Sequence, residues 1–128
     1  MLDGFFGEGS RMCIVADLEK IELGQHTLQF YMTPMVHWPE TMMTYELTTG
    51  TLFSGDAFGS FGTLDGGVCD DELPHYWNDS EMRRYYSNIV GKYSAMVQKA
   101  IARFANVEIR CVAHPLMVPS GEVIQGRC

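Results

Sequence analysis

Apolar positions recur along the first half of the chain in runs of strand length, and along the second half in helical steps. Residues 12–15 form a short apolar run that ends in a β-branched side chain. Gly24-Gln25 then opens residues 26–33, where Leu28, Phe30 and Met32 alternate with more polar neighbours. A period of two places one set of side chains on one face, which predicts a half-buried strand. Residues 43–47 and 51–54 flank Thr48-Thr49-Gly50, and the glycine supplies the turn of a predicted hairpin. Residues 55–67 are rich in glycine and are followed by Asp70-Asp71-Glu72. This stretch predicts a long surface loop, and such loops often carry function.

A helix is predicted next. Asn78 can cap it, and Glu81 three residues later completes a capping-box pattern. Met82, Tyr86, Ile89, Tyr93, Met96, Val97, Ala100 and Phe104 recur at three- and four-residue steps, which gives one apolar stripe facing a sheet or another helix. Gly91 in its middle costs about 1 kcal/mol relative to alanine and marks a candidate bend. Residues 107–112 predict a last strand, and Pro115, Pro119 and Gly121 a loop running to the C-terminus. No internal repeat or low-complexity segment is visible. The expected fold class is therefore α/β (α+β layered), a mixed sheet with one long helix.

Composition narrows the functional classes. The 128 residues fit one domain or part of one, and 46% of them are hydrophobic, enough for a core. The net charge of -7 disfavours phosphate backbones and anionic membranes as partners. No apolar run approaches the roughly 20 residues of a membrane span. The first nine residues lack a basic segment of the kind that opens a signal peptide. Cys13, Cys69, Cys111 and Cys128 form no CxxC pair. Reduced thiols and a cytoplasmic location are the expectation.

Three residues stand just past predicted strands: His37 in Thr33-Pro34-Met35-Val36-His37, Asp56 in Ser54-Gly55-Asp56, and His114 in Ala113-His114-Pro115. Metal ligands commonly converge at strand ends, where the sheet fixes them and the loop leaves an open coordination position. Imidazole and carboxylate together suit iron, zinc or manganese. Taken singly, each also reads as an ordinary loop residue. His26 lies within a strand pattern and His75 within an acidic loop, so both read as structural or solvated.

Longer segments add a resemblance. His37-Trp38-Pro39-Glu40 with Met42, Thr44 and Tyr45, then residues 52–59 (Leu-Phe-Ser-Gly-Asp-Ala-Phe-Gly), then residues 84–90 (Arg-Tyr-Tyr-Ser-Asn-Ile-Val), resemble in order three segments of flavodiiron proteins. The resemblance spans roughly residues 20–112. It implies part of a metallo-β-lactamase-like αββα sandwich, specifically its C-terminal half. By position, His37 resembles a ligand of one iron and Asp56 the carboxylate bridging both irons. His114 is the candidate terminal histidine of the second iron. The family pattern there is Pro-x-His-Gly, from which Ala113-His114-Pro115 departs.

The implied activity is reduction of dioxygen to water, or of nitric oxide to nitrous oxide, at a non-haem di-iron site. Electrons would come from FMN on a flavodoxin-like domain, fed by a donor such as rubredoxin or a flavin reductase, in a full-length homo-oligomer. Trp38, Phe58 and Tyr45 would pack around the ligands. The family's first ligand cluster, His-x-Glu-x-Asp-His, has no counterpart between Met1 and Val36. No flavin-binding segment is recognisable either, so the chain by itself is expected to be inactive. An in-frame copy of that cluster in the DNA upstream of Met1 would identify the missing half. Two other readings stand beside this one: a zinc hydrolase of the same superfamily, and a non-catalytic chain without metal. His-Trp-Pro and Asp-Ala-Phe-Gly argue against the first, and metal analysis separates all three.

A half-sandwich leaves apolar sheet surface and strand edges uncovered, and both favour association. Sedimentation of the purified chain is expected to show oligomers or aggregates; a clean monomer with cooperative unfolding would contradict the half-domain reading.

Overall fold

The structure, a computed structural model, describes residues 13–61, 69, 79–117 and 123–127, the last strand and residues 114–117 by backbone alone. Six strands form one sheet in the order of the chain: β1 (Lys20–Leu23), β2 (His26–Met32), β3 (Met42–Glu46), β4 (Thr51–Phe53), β5 (Cys111–Met117) and β6 (Val123–Arg127). Every neighbouring pair is antiparallel except β4 and β5, which run parallel. The sheet is therefore mixed, as expected. A parallel pair needs a long crossover. Here the crossover includes the helical segment 79–103: α1 (Asp79–Tyr85), a π turn (Tyr86–Val90), a 3-10 turn (Gly91–Tyr93) and α2 (Ser94–Arg103).

Pairing register explains which side chains meet this helix. Tyr31 lies opposite Met43, and Tyr45 opposite Leu52. These four residues, with Val36, Tyr85, Val90 and Ala100, form the buried core. Period-two alternation then sends Met42 and Phe53 to the opposite face, where both are exposed. The Tyr31 ring packs on Phe104 with centroids 4.6 Å apart. Arg103 at the end of α2 donates to both carboxylate oxygens of Asp17 at 2.7 Å and to the Met32 carbonyl at 3.2 Å. That clamp ties the helix end to the strands and holds the Asp17 carboxyl below the usual carboxylate range.

Several expectations need correction. Residues 13–15 form no strand, and Ile14 is almost fully exposed. Lys20–Leu23 is a strand instead, joined to β2 through Gly24-Gln25. The final strand begins at Cys111 rather than at 107, runs through Pro115, and pairs with β6 where a loop was expected. Pro115 is accommodated because the register shifts between Val112 and Pro115, and an irregularity is where a sheet tolerates a proline. Asn78, the acidic patch 70–72, Pro119 and Gly121 lie outside the described residues.

The helical stripe is also displaced. The departure is in its first part, where Tyr85, not Tyr86, is buried and Val90 joins it, while Ala100 is buried and Ile89, Val97 and Phe104 pack against the core as expected. The cause is the π turn, in which the Gly91 N–H reaches back five residues to the Tyr86 carbonyl. One extra residue per turn breaks a count based on 3.6. Side chains support the wide turn: Ser87 Oγ donates to Arg83 O and Asn88 Nδ2 to Arg84 O, each at 2.7 Å.

The β3–β4 hairpin forms as expected, and Gly50 turns at φ +73°. Glu46 closes it. Its carboxylate accepts from the N–H groups of Thr48 at 2.9 Å and Thr49 at 2.6 Å, and from the Thr49 hydroxyl. These donors, the Thr49 hydroxyl foremost, hold the Glu46 carboxyl far below the usual carboxylate range. A depressed folded-state pKa contributes stability that is full above the unfolded value and lost as pH falls toward the folded one. Thermal melts from pH 7 to pH 3 are expected to show Tm falling below about pH 4.5. In Glu46→Gln the melt is expected to be lower at neutral pH and to fall less on acidification.

Candidate metal centre

His37 stands in the loop between β2 and β3, residues 33–41, which closes on itself. Thr33 N donates to Thr41 O at 2.9 Å, Met35 N to Trp38 O at 2.7 Å, and Thr41 N to Trp38 O at 3.2 Å. The Thr41 hydroxyl donates to Trp38 O at 2.6 Å and accepts from Trp38 N at 3.0 Å. With its polar groups satisfied internally, the loop can drive Val36 into the core, where it is 2% exposed. Met35 takes φ +66° on the way, a conformation that costs about 1–3 kcal/mol for a residue with a side chain. Burial of Val36 offsets that cost and delivers His37 to the rim of the sheet.

Asp56 is carried on a 3-10 turn, Gly55–Phe58, directly after β4. Gly55 turns at φ +56°, a backbone conformation that glycine adopts without a steric penalty. Ser54 is fully buried, and its N–H donates to the Ala113 carbonyl of β5 at 3.0 Å. From above, the Tyr85 hydroxyl donates to the Asp56 carbonyl at 3.0 Å. Burial first, and then the Asp56 charge, push the Tyr85 phenol up to about 12. It therefore remains a protonated donor at neutral pH.

These two loops bring His37 Nε2 to 3.7 Å from Asp56 Oδ2. The imidazole is mostly buried at 19% exposure, while the carboxylate is half exposed at 50%. That separation is too long for a direct hydrogen bond. Two ligand atoms on one cation lie roughly 3–3.5 Å apart, so small side-chain adjustments would let both reach one ion. An open groove adjoins the pair, lined by Met35, His37, Trp38, Glu40, Lys92 and Tyr93. Of the three aromatic residues expected to pack around the ligands, Trp38 lies 62% exposed beside His37, with ring centroids 6.0 Å apart. Phe58 packs against the core, and Tyr45 spends its hydroxyl on the Glu108 carbonyl at 2.7 Å.

His114 lies within β5 rather than after a strand. Because Phe53 pairs with Ala113, the His114 backbone follows at the end of β4 where Asp56 stands, inside the irregular stretch before Pro115. Its side chain lies outside the described residues, as does His75. His26 sits 3.3 Å from Glu46 at the opposite end of the strands and belongs to the hairpin. Among the described residues no group of three or more histidine, cysteine or acidic side chains is arranged to hold a metal. The present donors thus fit one side of a metal site and not a complete one. Tyr85 had no role assigned from the sequence, since nothing in the chain's pattern links its hydroxyl to a carbonyl 29 residues earlier.

Comparison with known proteins decides the lineage. The model of the ODP family beta lactamase matches residues 3–115. Rubredoxin-oxygen oxidoreductase of Megalodesulfovibrio gigas is 35% identical over 88 residues, covering 69% of this chain and 22% of that protein. The anaerobic nitric oxide reductase flavorubredoxin of Shigella dysenteriae is 42% identical over 74 residues, covering 58% and 15%. The crystal structure of the flavodiiron protein from Giardia intestinalis superimposes with a TM-score of 0.80 at 31% identity, over 88% of this chain and 28% of that one. The chain belongs to the flavodiiron family. Its fold is that of the family's β-lactamase-like domain, and it spans about a fifth of the length of the curated relatives it matches. Among the described residues, no helix is long and apolar enough to cross a membrane.

The position of His37 depends on one apolar anchor, Val36. Val36→Ala is expected to cost about 2 kcal/mol in denaturant unfolding and to broaden the His37 ring resonances in NMR spectra. Unchanged His37 resonances would show that the loop's own hydrogen bonds suffice.

Proposed function

We propose that this chain contributes one side of a flavodiiron-type di-iron site that reduces dioxygen or nitric oxide. The observation that carries the reading is the 3.7 Å approach of His37 Nε2 to Asp56 Oδ2 on one rim of the sheet, in a chain of this family. In this reading His37 would hold one iron, Asp56 would serve both, and His114, on the adjoining strand, would hold the second. The metal pair supplies, when bound, the redox couple and the open coordination position. The protein's part is to hold the imidazole in a mostly buried loop and to present a half-exposed carboxylate. Electrons would reach the site from FMN on a flavodoxin-like domain, with rubredoxin or a flavin reductase as donor. The names of the relatives support both gases and a rubredoxin-type donor. Location in the cytoplasm fits this electron supply.

The donor set bears on what the 128 residues can do alone. Two cations close together need several anionic or neutral ligands, and His37, Asp56 and His114 provide one carboxylate and two imidazoles. Water would have to fill the remaining positions, and it competes poorly with preorganised side chains. After anaerobic iron loading, mass spectrometry is expected to find far less than two irons per chain, with no gas consumed alongside a flavin-mediated donor. Adding a polypeptide that bears the upstream ligand cluster is expected to raise the metal content, and His37→Ala or Asp56→Ala to abolish that gain. Two irons per chain with turnover from these residues alone would overturn the ligand assignment. Tight binding of zinc with hydrolytic activity would favour a hydrolase instead.

A further inference from the structure

The Asp56 side chain is half exposed, yet its backbone is gripped from three sides. Ser54 is tied to β5 through Ala113 at 3.0 Å, and the Gly59 N–H closes the turn on the Asp56 carbonyl at 3.2 Å. The third hold is the Tyr85 hydroxyl, which donates to that same carbonyl at 3.0 Å from across the core. The Tyr85 ring also occupies the space beside Gly59, where a Cβ would meet its Cζ at 2.5 Å and its Cε1 at 2.8 Å. Phe61 abuts the ring edge-on with centroids 5.3 Å apart, and Arg84 lies 4.4 Å over the Phe61 ring.

The helix is adapted to this contact. A regular α-helix continuing past Tyr85 would place the next core-facing residues three and four positions on, at Asn88 and Ile89. Ile89 packs at the edge of the core, and the π turn brings Val90, five positions on, fully into it, at 0% exposure. Ser87 and Asn88 then turn their side chains back onto the helix carbonyls. A π turn is rare within an α-helix and is frequent at functional sites.

We propose that Tyr85 is a positioning residue for Asp56, its hydroxyl fixing the Asp56 carbonyl and its ring packed into the space that Gly59 leaves open. This rests on the reading of Asp56 as a metal ligand. Loss of a group that orients a ligand typically weakens metal affinity by about tenfold to a hundredfold. A hydroxyl on the carbonyl of the ligand's own residue limits rocking of the turn and so limits the positions its carboxylate can take.

A matched control exists within the same sheet. The Tyr45 hydroxyl also donates to a backbone carbonyl, that of Glu108, at 2.7 Å. Tyr85→Phe and Tyr45→Phe thus delete the same chemical group, near and away from the Asp56 turn. Two measurements on the full chain are compared across both variants: amide hydrogen exchange at Ala57 and Gly59, and affinity for cobalt(II) followed by its visible absorption. Tyr85→Phe is expected to speed exchange at these amides about tenfold or more and to weaken cobalt binding about tenfold. Tyr45→Phe is expected to leave both near the wild-type values. Gly59→Ala, which displaces the ring, is expected to behave like Tyr85→Phe. Equal effects from the two tyrosine variants would reduce Tyr85 to a general stabilising contact and overturn the proposal, as would unchanged exchange in Tyr85→Phe. If His37→Ala and Asp56→Ala leave cobalt binding intact, or if no cobalt binds even with the polypeptide that bears the upstream ligand cluster added, the metal reading fails. The exchange comparison then still decides whether Tyr85 holds the turn.

Discussion

Two strands that run side by side in the same direction cannot be joined by a tight turn. The chain leaves the sheet at the end of β4 and returns at the start of β5, and the helical segment 79–103 lies on that crossover. The Asp56 side of the candidate site follows from this connection. It places Ser54 beside Ala113, so the turn bearing Asp56 starts from a buried, hydrogen-bonded base. It lays the helix over Tyr31, Met43, Tyr45 and Leu52, which covers one face of the sheet and brings Tyr85 down onto the Asp56 carbonyl. Helix burial and site geometry are one arrangement seen from two sides.

Much of this was readable in the residues, and the failures have physical causes. The β2 strand and the β3–β4 hairpin were legible because Leu28, Phe30 and Met32 alternate and Gly50 permits the turn. β1 was not, because Lys20-Ile21-Glu22-Leu23 is an edge strand with two charges and little burial to mark it. Residues 13–15 misled for the opposite reason: apolar side chains without partners do not make a strand. Pro115 suggested an ending, yet the register shift beside it lets β5 continue. The helix was legible and its phase was not, since a single π turn moves burial from Tyr86 to Tyr85.

The site was legible to different depths. His37 and Asp56 each read as an ordinary loop residue by chemistry alone, and it was the flanking segments that singled them out. Those flanks now have structural reasons. Val36 is the anchor under His37, Ser54 is the buried foot of the Asp56 turn, and Gly59 is the space into which Tyr85 fits. A motif of this kind records the packing around a ligand as much as the ligand itself. The Tyr85 contact escaped sequence reading because its partner is a backbone carbonyl, and any residue type supplies one.

Stability and chemistry are separated in space within these two loops. Val36 and Ser54 are buried and contribute burial and hydrogen bonds to folding, while the carboxylate of Asp56 remains half in solvent. That division has an energetic basis. A fully buried carboxylate lacking a partner would either disfavour the fold or take up a proton, and a protonated carboxyl is a poor metal ligand. At half exposure the Asp56 carboxylate keeps its contact with water instead. The rigidity of this position comes from its backbone, since three hydrogen bonds converge on the turn rather than on the carboxylate.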